Sequence, residues 1–317
     1  FSEGAPPEND PTPLVVDSRP TTSDAVVVSA AKEILDRSGI REGYCLDIDC
    51  GDGKMALELV AQSDLYVVGI CQDEEKVGRA RQMLTEAGVY GSRVTILNTS
   101  LGDGVYPDYF ANLIVSSKQL SDASAAPDMD LVRQVQRPCG GVLCLGQIGD
   151  FQVQRRGPLD GSGLWTHQNS DPANTLCSND ILVRSPLETA WYRDGVLEIV
   201  DRHAQGPAPL YAHGILVVEG VHGLCGLDAY NGQTRWIYPI KDILSDWDGV
   251  HHDVGVGDCG SNICLSDEAV FVRTDTRCLK LDLFSGERLA EFGTPVEKGA
   301  GDRNWGFIAY ADGTLFG

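Results

Sequence analysis

The chain has 317 residues, 42% of them apolar, enough for two domains of ordinary size with buried cores. Its 25 basic against 46 acidic side chains leave a net charge of −21, a surface that repels phosphate backbones and anionic lipid, so no nucleic-acid partner is expected. No apolar run approaches the length of a membrane span, so none is expected.

Phe1 in place of Met points to a processed or trimmed N-terminus. No C-x-x-C occurs, which removes the commonest zinc, thioredoxin and c-haem readings. Cys45, Cys144, Cys225 and Cys278 fall in predicted strands, where Cys acts as a small hydrophobe. Cys259 and Cys264 are spaced to pair across a short loop in an oxidising compartment.

Residues 1–23, rich in Pro, Asp, Glu and Ser, read as an extended arm. Ser23-Asp24 then caps a predicted helix carrying Ala25, Val28, Ala31, Ile34 and Leu35, which Gly39 ends. A short apolar strand runs from Tyr44 to Ile48. A glycine-bearing loop, Asp49 to Gly53, leads into a helix from Lys54 to about Gln62. Leu65–Ile70, Val94–Leu97, Leu113–Ser116 and Gly141–Leu145 are predicted strands, with helices at Glu74–Ala87 and about Asp128–Gln136. Strands alternating with helices imply a parallel sheet covered on both faces.

After a linker at 147–164, helical periodicity fades from Trp165 onward and short β-rich runs separated by Gly, Asp and Asn take over. They repeat. GILVVEGVHGLCGLDAYNGQTR from Gly214 to Arg235 superimposes without a gap on EAVFVRTDTRCLKLDLFSGERL from Glu268 to Leu289, 54 positions on. A third copy begins at Tyr310-Ala311-Asp312-Gly313, matching Tyr211-Ala212-His213-Gly214. A fixed period outranks local propensity, because each unit must stack on a neighbour to bury its face. The spacing suits four-stranded blades, about three in residues 165–317, so an incomplete β-propeller is expected. Further sequence or a second chain would complete it, in contact with Phe316 and its neighbours.

The run LDIDCGDG from Leu46 to Gly53 resembles the first motif of class I S-adenosylmethionine (SAM)-dependent methyltransferases, L-D-x-G-C-G-x-G. Val67–Ile70, Val77–Arg81, Ala111–Val115 and Arg133–Val142 resemble that family's following elements, so the likeness covers about residues 24–146. It implies a Rossmann-like domain and, if SAM is bound, contacts from Asp47, Gly51, Gly53 and Asp73. Two positions depart from the pattern. Asp49 replaces the first loop glycine, and Cys71 stands where the ribose-binding acid is expected, with Asp73 two residues later. The final hairpin of the methyltransferase sheet is not evident after Leu145. The expectation is therefore a degenerate, non-catalytic domain.

The repeats, with L-D-A-x-x-G and Trp236, resemble the quinoprotein-like (PQQ-like) propellers, in which such a Trp docks between blades. Pro186–Trp191 looks like the end of an earlier blade. The order of parts is similar to exported bacterial proteins that fuse a truncated methyltransferase-like domain to a PQQ-like propeller. That likeness implies a periplasmic or extracellular binding or scaffold protein. The alternatives are a SAM-dependent small-molecule methyltransferase and a quinoprotein-type oxidoreductase. No Cys-Cys pair exists and no Ca²⁺ ligand set can be assigned, so bound PQQ is not expected. Polar clusters at His167 and at Asp201-Arg202-His203 are candidates for general acid/base chemistry or for holding a small-molecule or glycan ligand. His251, His252 and Asp253 are weak candidates for a metal.

Overall fold

The computed structural model describes residues 19–197, 207–241, 243, 262–274, 276–294 and 304–317. The first 137 described residues build one six-stranded sheet in the order β3-β2-β1-β4-β5-β6. Strands β1 (Glu42–Ile48), β2 (Asp64–Cys71), β3 (Val94–Asn98), β4 (Leu113–Ser116) and β5 (Val142–Leu145) run parallel. Helices α1 (Ala25–Ser38), α2 (Lys54–Gln62) and α3 (Glu74–Glu86) bury Ile34, Leu35, Leu59 and Leu84 against one face. Helix α4 (Met129–Val135) buries Val132 and Val135 against the other, with Leu46, Ile70 and Ile114. This is a Rossmann-like, doubly wound domain, and the direction of winding reverses between β1 and β4.

Capping follows the sequence. Asp24 accepts from the backbone of Val26 and Val27, Asp73 from Lys76 and Asp128 from Leu131, each meeting donors that a helix start leaves orphaned. Gly39, at φ 68°, ends α1 in the left-handed conformation.

One expectation fails here. A strand β6 (Gln152–Arg155) pairs antiparallel with β5, so the sheet runs on into the segment read as linker. Its sequence, Gln-Val-Gln-Arg, is exposed at every position and carries a single apolar residue, so no buried face marks it as a strand.

Beyond it, the described residues form two four-stranded antiparallel sheets and a hairpin. The first sheet is β7 (Leu210–Ala212), β8 (Ile215–Gly220), β9 (Gly223–Asp228) and β10 (Thr234–Pro239). The second is β11 (Ile263–Leu265), β12 (Ala269–Arg273), β13 (Arg277–Asp282) and β14 (Arg288–Gly293), and the hairpin is β15 (Ala309–Ala311) with β16 (Thr314–Phe316). The 54-residue period maps β9 onto β13 and β10 onto β14 residue for residue. Edge strand β11 packs against β7 on one side and β15 on the other.

The tryptophans sit at the junctions. Trp236 is buried, donates from Nε1 to the Leu283 carbonyl at 2.9 Å, and lies so close over Gly286 that a Cβ there would come within 2.7 Å of its ring. Trp191 makes the same contact one copy earlier, to the Ala229 carbonyl at 3.0 Å and over Gly232. The segment around it, 181–197, forms no strand, so the blade end expected at Pro186–Trp191 is reduced to its docking tryptophan.

The two parts meet through a buried polar junction. The Arg137 Nε donates to Asp228 Oδ2 at 2.5 Å and its Nη2 to the Gly214 carbonyl at 3.0 Å. Asn112 donates to the same Asp228 oxygen at 3.1 Å, and Asn231 donates to Asn112 Oδ1 at 2.8 Å.

Candidate functional site

A cleft of about 910 Å³ opens at the carboxyl ends of β1, β2 and β4, at the point where the winding reverses. Its walls are the loop 49–52, the starts of α1 and α2, the β2–α3 turn 71–73, and residues 117–121 after β4.

The loop gives each glycine a separate reason. Gly51, at φ 59°, has nothing within 4 Å of where a Cβ would sit, so its backbone is open to a bound group. Gly53, at φ 79°, starts α2, and a Cβ there would come within 3.1 Å of Ala80 and 3.3 Å of Leu84. It serves the packing of α2 on α3. Asp49, in the position expected to need glycine, sits at φ 52°, which Asp adopts more readily than most residues. Its carboxylate lies 3.9 Å from the Lys118 ammonium across the cleft.

Of the four expected cofactor residues, Gly51 and Asp73 line the cleft, while Gly53 and Asp47 stand behind it. Asp47 is fully buried and accepts from the Ser117 backbone at 2.8 Å and the Ser117 hydroxyl at 2.6 Å, which ties the ends of β1 and β4 together. Burial pushes its carboxyl up to about 7. Asp73 is exposed. Its bond from the Lys76 backbone, with help from the Lys76 side chain, holds it below the ordinary carboxylate range, so it is ionised at neutral pH. It therefore presents a carboxylate at the end of β2, two residues beyond the buried Cys71. Sequence reasoning missed Ser117, Lys118 and Lys54. Lys54 bridges Asp52 at 2.8 Å and Asp24 at 3.9 Å across the cleft mouth, and spacing alone gives no sign of a contact 30 residues apart.

The other candidates are dispersed. His167 is buried with both ring nitrogens engaged. Nδ1 lies 2.8 Å from the Thr166 hydroxyl, and Nε2 accepts from the Tyr310 backbone at 3.0 Å, so the ring ties the first β turn to β15. Burial lowers it to about 4. That leaves no free nitrogen for proton transfer, in contrast to the acid/base role considered for it. Asp201, His203, His251, His252, Asp253 and Cys259 lie outside the described residues. Cys264 is a buried free thiol in β11. Among the described residues, no group of three His, Cys, Asp or Glu is placed to hold a metal ion, and no helix is long and apolar enough to cross a membrane.

No protein-family model matches the chain, and no curated protein matches it. Among solved structures, it is similar to a putative S-adenosyl-L-methionine-dependent methyltransferase from Methanococcus maripaludis, at 23% identity and a TM-score of 0.35, over 38% of this chain and 55% of that one. A SAM-dependent methyltransferase from Aquifex aeolicus gives 19% identity and a TM-score of 0.34 over 39% and 66%, and a putative sarcosine dimethylglycine methyltransferase from Galdieria sulphuraria gives 20% and 0.32 over 37% and 45%. The chain spans about half the length of the first structures it matches.

Proposed function

We propose that the α/β domain binds SAM in the cleft at the β1–β4 reversal and acts as a SAM-dependent methyltransferase on a small molecule, with the β-sheet part as a rigid attached scaffold. One observation carries this reading: the open backbone at Gly51 faces the same cleft as the ionised Asp73. The cavity is also in the usual range for small-molecule sites, roughly 300–1,000 Å³. The residues present fit the cofactor. Gly51 and Asp52 offer backbone donors, while the Cys50 N–H is already given to the Ile70 carbonyl; Asp73 offers an acceptor for ribose hydroxyls, and Val26, Val27 and Leu120 offer apolar surface. Bound there, SAM would supply an electrophilic methyl group. Asp47, turned wholly onto Ser117, shapes the floor and touches nothing in the cleft.

Calorimetric titration with SAM and with its demethylated product tests the reading. Micromolar binding is expected, with a large loss in Gly51→Asn, which tolerates the left-handed backbone but fills the open space. Absence of binding at millimolar ligand overturns it.

A second reading, a non-catalytic scaffold, is favoured by Asp49 and Cys71 standing where the methyltransferase pattern has a glycine and an acid. The same titration separates the two. Under either reading, we take the stacked sheets as part of a PQQ-like propeller, supported by the strand-for-strand period and the two tryptophan docks. Export and further blades seated on the β15–β16 hairpin belong to this proposal. Cell fractionation tests the first, and a monodisperse folded monomer of this chain counts against the second.

A further inference from the structure

A second cavity, about 270 Å³, lies on the other side of the parallel sheet from α1–α3. Its origin is a gap in the fold. The connection from β3 to β4, residues 99–112, supplies one short helical turn and no α-helix. A parallel sheet ordinarily has helices over both faces. Here α4 packs with Leu143, Ile114 and Phe110, while Tyr44 and Val68 of the neighbouring strands are left half-buried. The β-sheet part completes the wall with Ala190, Trp191, Tyr230 and Asn231.

We infer that this cavity, between the α/β domain and the first β-sheet, binds a neutral planar aromatic molecule of about two fused rings. Among the described residues, no charged side chain lines it, although 22% of the chain is charged. Five of the lining residues are aromatic, set against the aliphatic surfaces of Val68, Val105 and Pro107. Tyr106 and Phe110 already stack, with centroids 6.1 Å apart and planes 23° apart, so a flat ring would extend an existing stack.

The polar groups argue against other ligands. The Tyr106 hydroxyl donates to the Ser100 carbonyl at 2.9 Å, the Tyr230 hydroxyl pairs with that of Tyr211 at 3.1 Å, and the Asn231 amide donates to the Phe110 carbonyl at 2.9 Å and to Asn112. A sugar or a peptide backbone would lose water here without gaining partners at these groups. A metal cation would meet no carboxylate among the described lining side chains, and choline in the test below addresses an organic cation held by the ring faces. For scale, a dry apolar cavity of about 150 Å³ accepts benzene, so this one has room for a bicyclic ring.

The test is ligand-observed NMR of the full chain with 2-naphthol, with choline and glucose as comparators. Saturable naphthol binding is expected, unaffected by SAM, because the SAM cleft has different walls. Val105→Trp, at a half-exposed rim position, should weaken it by about tenfold or more by occupying the mouth. Leu289→Trp, exposed on β14 and lining neither cavity, should leave it unchanged and serves as the folding control. No saturable naphthol binding, equal binding by Val105→Trp, or preference for choline or glucose would each overturn the inference. Because naphthol binding is independent of SAM, failure here leaves the methyltransferase reading standing, and the reverse holds too.

Discussion

Sheets β7–β10 and β11–β14 carry the same motif 54 positions apart and fold it the same way, yet use it differently. In both, the motif Asp caps its own turn: Asp228 accepts from the Tyr230 backbone at 3.1 Å, and Asp282 from Phe284 and Ser285 at 2.9 and 2.8 Å. In both, the motif Gly takes the left-handed conformation under a tryptophan. Only in the first copy is the second carboxylate oxygen recruited, by Arg137 and Asn112 of the α/β domain. The repeat supplies the turn, and position in the array decides whether its acid also joins two domains.

The period has a further consequence. Stacking can bring equivalent positions of two copies, residues i and i + 54, close to each other. Glu219 in β8 and Arg273 in β12 are equivalent, and the Arg273 charge partly offsets the burial that raises the Glu219 carboxyl. His213 and Asp267 are equivalent and pair at 2.9 Å. Complementary polar groups at one repeat position are thus a means of ordering neighbours that identical copies lack.

The largest effect should come from breaking the asymmetry. Asp228→Ala leaves Arg137, whose side chain is 7% exposed, as an unpaired buried cation, and should cost about 3–5 kcal/mol in denaturant unfolding. Asp282→Ala loses only a turn cap, about 1 kcal/mol. Combining Arg137→Met with Asp228→Leu should recover most of the first loss. Equal costs for the two aspartates would remove the distinction between the copies.

Glu219 gives the next effect. Burial raises its carboxyl from 4.5 to about 7, outweighing the Asn262 hydrogen bond and the Arg273 charge. The folded state therefore keeps a proton that the unfolded chain releases. This contribution to stability is complete below pH 4.5 and is lost as pH rises through about 7. Asp47 acts in the same sense, and His167, lowered to about 4, in the opposite one. The comparison with Glu219→Gln isolates the group: between about pH 5 and 8 the variant should gain on the order of 2 kcal/mol relative to the parent, read by thermal unfolding across pH. Parallel pH profiles would rule out a buried protonated Glu219.

The glycines test the likeness rather than the difference. Gly232→Ala and Gly286→Ala each force a Cβ at positive φ into a tryptophan ring, at 2.5 and 2.7 Å. Each should cost about 1–3 kcal/mol, by nearly the same amount. A much smaller cost at Gly232 would mean that Trp191, which no strand carries, is a looser dock than Trp236.

These contrasts mark how far the sequence was legible. The copies, their turns and both tryptophan docks could be read, because a period and an L-D-x-x-x-G spacing are local. The parallel sheet could be read from alternation, and the cleft from the run at 46–53. Strand β6 could not, since an exposed Gln-Val-Gln-Arg carries no alternation. Nor could Arg137: an arginine beside a proline at the end of a helix looks solvated, and its partner Asp228 is 91 residues away. Asp49 departs from the glycine of the loop pattern, yet the left-handed φ it adopts is one that Asp tolerates. Long-range pairing and backbone conformation are the two things that spacing does not encode.

The smallest effect concerns the second equivalent pair. His213 and Asp267 are likewise equivalent across the period, and they pair at the surface, with Asp267 82% exposed. Water screens the pair, and holding it costs side-chain freedom, so Asp267→Asn should change stability by no more than about 0.5 kcal/mol. If burial sets the value of a carboxylate beside the repeats, the exposed Asp267 and the buried Asp228 should differ severalfold. A loss at Asp267 as large as that at Asp228 would undo the account in which surroundings decide what each carboxylate contributes.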